Sequence, residues 1–163
     1  MKTGQTSCWD GVGSPIPCPG TKHDGDLQIG VAKGYTDNGD GTVTDHATGL
    51  VWQKCSAGLS GLNCSLGTAM QANRTNAINY CSSLNLAGKT WRLPNINELN
   101  SLADRTKSSF IDTTFFPSNQ SNYWSSTTYT GLSSNGWYVD FDTGEVSDTD
   151  KSYLNYVRCV AGP

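Results

Sequence analysis

Six cysteines, Cys8, Cys18, Cys55, Cys64, Cys81 and Cys159, are the residues of this 163-residue chain whose type and spacing bear most directly on chemistry. Thiols can ligate metal, act as nucleophiles or form disulfides. Zinc sites draw thiolates from C-x-x-C-type pairs with further Cys or His close by. No C-x-x-C pair occurs here, and the two histidines, His23 and His46, stand alone. An even cysteine count in a chain rich in Ser, Thr and Gly favours disulfides, and with them an oxidising compartment. Six cysteines permit fifteen pairings. Two close pairs, Cys8 with Cys18 and Cys55 with Cys64, each bracket a turn-rich loop, which leaves Cys81 and Cys159 as a long-range staple.

Other catalytic constellations are thin. With His23 and His46 both in turn-rich early sequence, no Ser/His/Asp order emerges. Glu98 and Glu145 are the only glutamates available for acid/base work, and Glu98 sits where a helix cap belongs. Asn38-Gly39-Asp40-Gly41 resembles part of a calcium loop. An EF-hand register anchored there places Thr36 at the first ligand position and Ala47 at the twelfth, where a glutamate is required. A hairpin turn is the better reading. No metal and no cofactor are expected.

Composition narrows the partners. Charged residues make up 15% of the chain, against 18 Ser, 18 Thr, 13 Asn and 18 Gly, a profile of turns and exposed polar strands. A net charge of -3 without a Lys/Arg run gives no footprint for nucleic acid or an anionic membrane. No apolar stretch is long enough for a membrane span. Met1-Lys2-Thr3 leads into polar sequence rather than a signal peptide, which reads as a start from which an export signal has been removed.

The elements that must position these residues follow from pattern. Residues 1–33 are dense in Gly and Pro and form an N-terminal arm tied by Cys8 and Cys18; residues 34–163 form the main domain. Residues 34–37 and 42–45 flank the Asn38–Gly41 turn as a hairpin, with a further strand over residues 48–53. Thr68-Ala69-Met70-Gln71 has capping-box spacing, and Met70, Ala77, Cys81 and Leu84 lie on one helical face, with Gly88 as the stop. Asn95 and Glu98 open a second helix whose stripe is Ile96, Leu99 and Leu102. Strands follow over residues 123–129, 136–141 and 153–160, with a turn at Asp142-Thr143-Gly144. A bridge between Cys81 on the helix and Cys159 on the last strand would fasten the two together.

Trp91-Arg92-Leu93-Pro94-Asn95-Ile96-Asn97-Glu98-Leu99, Tyr123-Trp124-Ser125-Ser126 and Tyr156-Val157-Arg158-Cys159-Val160 resemble the C-terminal domain family of the Lcl collagen-like adhesin. Asp37 to Asp45 and Thr48 to Gln53 extend the resemblance over roughly residues 34 to 160. It implies an α+β, C-type-lectin-like fold, with two helices packed on small antiparallel sheets and a helix-to-last-strand disulfide. The arm, Thr3 through Cys18, is similar to a segment that often precedes this domain in exported bacterial proteins, which implies an extracytoplasmic location. The chain lacks the Glu-Pro-Asn or Gln-Pro-Asp and Trp-Asn-Asp triplets of calcium-dependent lectins. It also looks distantly like the formylglycine-generating, sulfatase-modifying enzymes, but Cys159 is the only cysteine after Cys81, so the additional reactive pair those enzymes need is missing.

The expected function is therefore non-catalytic binding of a glycan or a surface protein, with a structural assembly module as the alternative. Candidate contacts are Tyr138, Asp140 and Asp142, read as outward-facing on their strand and turn, together with Trp124, Tyr129 and Asn122. Aromatic faces stack on sugar rings and Asn/Asp side chains hold hydroxyls. Trp137, Val139 and Phe141 alternate with Tyr138 and Asp140 and are read as core.

Overall fold

The computed structural model describes residues 5–162, so the start at Met1-Lys2-Thr3 and the first residues of the arm lie outside the described residues. Cys8 is bonded to Cys18, Cys55 to Cys64 and Cys81 to Cys159, as the spacing argued.

In the arm, β1 (Cys8–Trp9) pairs with β2 (Pro15–Ile16), and a single helical turn, α1 (Asp24–Leu27), packs beside them. Gly25 permits that approach, because a Cβ there would stand 2.5 Å from the Ser7 carbonyl oxygen. The expected hairpin follows as β3 (Tyr35–Asp37) and β4 (Thr42–Asp45). Its carboxylates are used within the turn: Asp37 accepts from the Gly39 N–H at 3.0 Å, and Asp40 accepts from both the N–H and the hydroxyl of Thr42. Next come β5 (Val51–Gln53) and a short pair, β6 (Leu59–Ser60) inside the Cys55–Cys64 loop and β7 (Leu66–Gly67) just after it.

The first main-domain helix begins later than its spacing suggested. Residues 68–71 do not open it; β8 (Gln71–Ala72) occupies the segment, and α2 (Arg74–Ser83) starts behind Asn73, whose side chain accepts from the Asn76 N–H. Cross-strand pairing of β8 outcompetes helical continuation, so Met70 joins the core from outside the helix. Ala77 and Cys81 remain on the buried face as expected. The helix ends before Gly88, with Leu84 as its C-cap.

The second helix, α3 (Ile96–Ser101), was read correctly down to its cap. The Asn95 side chain accepts from the Glu98 N–H at 2.9 Å, and the Glu98 carboxylate accepts from the Asn95 N–H at 2.8 Å. Arg92 grips the same carboxylate with two 2.7 Å bonds. That guanidinium, and after it the Asn95 N–H, hold the Glu98 carboxyl below its ordinary range despite partial burial. A depressed carboxyl pKa contributes stability above the unfolded-state value and loses it as pH falls through the folded-state value. Glu98→Gln is expected to cost about 1 kcal/mol at neutral pH and to flatten the acid limb of a urea-unfolding stability profile. An unaltered acid limb would remove Glu98 from that role.

Beyond α3, β9 (Asn122–Thr128), β10 (Asn135–Asp140) and β11 (Glu145–Asp150) form a meander. The expected last strand divides: β12 (Asn155–Tyr156) joins this sheet in the order β11-β10-β9-β12-β8, while β13 (Val160–Ala161) joins the other in the order β13-β5-β4-β3. Residues 157–159 step between the sheets, and the Val157 and Cys159 carbonyls accept from Ala57 and Gln53. Polar β11 was not foreseen, since Glu145-Val-Ser-Asp-Thr-Asp150 carries one apolar residue and so no alternation.

Strand alternation divides the core in two. Tyr123, Val139 and Phe141 pack with Leu99 of α3 and its C-cap Leu102 in one cluster; Trp124, next to Tyr123 in sequence, packs with Ala77 and Cys81 of α2 in the other. The five-stranded sheet thus has a helix on each face, and its central residues are shielded from solvent. The fold is mixed α and β, with small sheets, few helices and three disulfides.

Candidate functional site

The site begins with an irregularity. Between β10 and β9 the register passes from Gly136 opposite Thr128 to Tyr138 opposite Trp124, so Ser125, Ser126 and Thr127 stand against Trp137 alone. Such a bulge frees backbone groups and re-aims side chains. The freed groups are taken up elsewhere: the Ser126 N–H donates to the Pro94 carbonyl at 2.7 Å, and the Ser125 hydroxyl donates to the Trp137 carbonyl at 2.7 Å. Arg74, at the start of α2, donates to the Ser125 carbonyl at 3.1 Å and also to that of Ser126. Gly136 makes room for it, since a Cβ there would lie 2.7 Å from the Arg74 side chain. Burial draws the Arg74 guanidinium below its ordinary pKa, and no carboxylate pairs with it among the described residues.

Here the structure corrects the expectation that Trp137 is core. Val139 and Phe141 are fully buried, but Trp137, although on their side by alternation, lies where β9 has bulged away and is only half-buried. Its ring meets Tyr129, also half-buried, edge to face at 5.2 Å between centroids. Asp148 is the cross-strand partner of Trp137, and the Asn135 amide donates to the Asp148 carboxylate at 2.8 Å. Two aromatic rings beside an amide and a carboxylate make an amphipathic surface of the kind that accepts a ring-shaped polar molecule.

The remaining candidates are distributed differently. Trp124 is wholly buried, and its indole N–H donates to the Ala72 carbonyl at 2.8 Å, so it offers no surface for contact. Tyr138 is not the free outward side chain that alternation promised; the second face of the sheet is also covered, and Tyr138 is half-buried against Trp124 at 6.5 Å. Asp140 accepts from the Asp142 N–H at 2.7 Å, which closes the turn, while Asp142 itself is exposed. Asn122 lies opposite Asp140, and its side-chain oxygen is buried without a hydrogen-bond partner among the described residues. Asn122, Asp140 and Asp142 therefore mark one end of the β9–β10 pair and Tyr129 the other, on the order of 20 Å apart along the strand. The structure does not bring the six candidates into one site.

Pattern reading passed over Arg158. Its side chain is fully buried between the rings of Phe116 and Tyr123, at 5.0 and 5.4 Å. It donates to the Gln53 carbonyl at 2.9 Å and to that of Lys54, with longer contacts to the Ser56 hydroxyl and the Asn119 side-chain oxygen. Burial lowers its pKa, yet an arginine stays charged. An arginine amid apolar strand residues was the available signal.

A family model described as the Lcl C-terminal domain matches residues 41–161, which is 121 of the 163 residues. The chain belongs to the Lcl C-terminal domain family. No curated protein matches it. The Lcl C-terminal domain match takes in α2, α3, the whole five-stranded sheet, the Cys81–Cys159 bridge and the Tyr129–Trp137 surface, and it begins after the arm. Membership fits a surface or adhesin-like module.

Proposed function

We propose that this Lcl C-terminal domain is a non-catalytic, extracytoplasmic ligand-binding module that recognises a glycan through the Tyr129–Trp137 surface. The observation that carries the reading is the aromatic pair held half-buried, with part of its surface open, at a bulge, with Asn135 and Asp148 beside it. Three disulfides favour an oxidising compartment, and no helix among the described residues is long and apolar enough to cross a membrane. With every cysteine bonded, no thiolate is available as a nucleophile, which argues against chemistry of the formylglycine-generating type. The Cys81–Cys159 bridge, from α2 to the residue just before β13, also supports a C-type-lectin-like framework.

A glycan array probed with and without calcium tests this. Selective sugar binding is expected, and Tyr129→Ala with Trp137→Ala should weaken it at least tenfold, since sugar stacking on the aromatic rings is lost together with their buried area. Unchanged binding in the double variant would reject the surface. A second reading, a protein assembly module, draws on Leu62 and Leu66, which stand 79% and 62% exposed in and beside the Cys55–Cys64 loop. Capture of a partner protein with no sugar bound would favour it.

A further inference from the structure

We infer that the cavity between the arm and the loop after α3 is a second binding site, separate from the Tyr129–Trp137 surface, for a small sugar acid whose carboxylate pairs with Arg105. The cavity measures about 410 Å³ and is lined by Gln5, Thr6, Ser7, Trp9, Arg105 and Thr106. That volume lies within the range of roughly 300–1,000 Å³ usual for small-molecule sites.

Charge decides the ligand class. The chain has four arginines. Arg74 and Arg158 are buried and donate to backbone carbonyls, and Arg92 forms a two-bond fork with Glu98. Arg105 is exposed, and the one hydrogen bond it makes among the described residues is a 3.4 Å contact to the Gly144 carbonyl. Arg105 lines a cavity in a protein of net charge -3, and its guanidinium is a planar fork suited to a carboxylate. Nearby carboxylates are engaged: Asp104 accepts from the N–H and hydroxyl of Thr106, and Asp112 pairs with Lys107 at 3.4 Å.

The opposite wall supplies what a sugar ring needs. Trp9, an aromatic residue that is 44% exposed, and the hydroxyl-bearing residues Thr6 and Ser7 line it. This wall is fixed before any ligand arrives. Cys8 is bonded to Cys18, α1 sits against Ser7 at Gly25, the Gln5 amide donates to the Ser7 carbonyl at 2.8 Å, and the Gln28 amide holds the Gln5 and Gly25 carbonyls. A wall already ordered avoids the entropic cost of ordering on binding.

The test is an NMR titration of the Trp9 indole signal with glucuronate, N-acetylneuraminate, glucose and the methyl ester of glucuronic acid. Saturable shifts are expected with one or both acids, and at least tenfold weaker binding with glucose and the ester. Arg105→Gln should weaken binding of the acids at least tenfold while leaving the melting temperature unchanged, and Arg105→Lys should recover only part of the loss. Failure of both acids to shift Trp9, equal binding of glucose, or unaltered affinity in Arg105→Gln would each overturn the proposal. Because Tyr129→Ala with Trp137→Ala leaves this cavity intact, the two sites fail or stand separately.

Discussion

Arg158→Ala is expected to destabilise the protein by on the order of 3–5 kcal/mol, the range seen when a large, fully buried side chain is deleted from a core and its hydrogen-bond acceptors are left bare. The side chain fills the space between Phe116 and Tyr123 and donates to the carbonyls of Gln53 and Lys54, at the point where the chain steps from one sheet to the other. An opposing effect runs against this. Desolvating a guanidinium without a carboxylate is costly, and its removal returns that cost. Arg158→Met separates the two, because methionine keeps much of the volume but neither charge nor donors. If donation and ring stacking dominate, Arg158→Met remains clearly less stable than the parent in urea unfolding. A methionine variant as stable as the parent would mean that burying the cation gains nothing.

Loss of the Cys81–Cys159 bridge, made as Cys81→Ala with Cys159→Ala, should lower stability by about 4 kcal/mol in the chain-entropy account. The sequence separation of 78 gives it the largest such effect of the three bridges, whose other separations are 10 and 9. Both sulfurs lie at zero exposure in the α2 cluster, so the substitutions also remove packed volume. Removing Cys8 with Cys18 should cost less and leave the main domain's unfolding midpoint nearly unchanged. Chemical denaturation of the two double variants compares them directly, and a larger loss from the arm bridge would contradict the assignment of Cys81–Cys159 as the main staple.

Local signals in the sequence were legible where short-range physics decided the outcome. Asn95 and Glu98 announced α3 because a reciprocal cap needs only residues three apart. The Asn38–Gly41 turn likewise carried its own hydrogen-bonding carboxylates. Cysteine spacing suggested all three bridges. Where a long-range partner decided, pattern failed: residues 68–71 had a cap-like spacing, but pairing of Gln71 and Ala72 with Tyr156 and Asn155 claimed them for a sheet. The candidate site suffered most from the bulge at Ser125–Thr127. Strict alternation put Trp137 inside and Tyr138 outside, whereas the bulge and a two-sided core leave both half-buried. Arg74 and Arg158 escaped notice because their roles depend on carbonyls 51 to 105 residues distant.

The covalent link from α2 to the end of the chain also sets how this domain responds to mechanical load. Tension applied near residue 162 enters through β13 and reaches helix α2 across the sulfur–sulfur bond, bypassing the segment between Cys81 and Cys159, whose sequence separation is 78. That loop holds about 270 Å of contour length which no pull can release while the bond lasts. Under shear, the surface carrying Tyr129 and Trp137 thus sits in a part of the chain that cannot be drawn out between its ends.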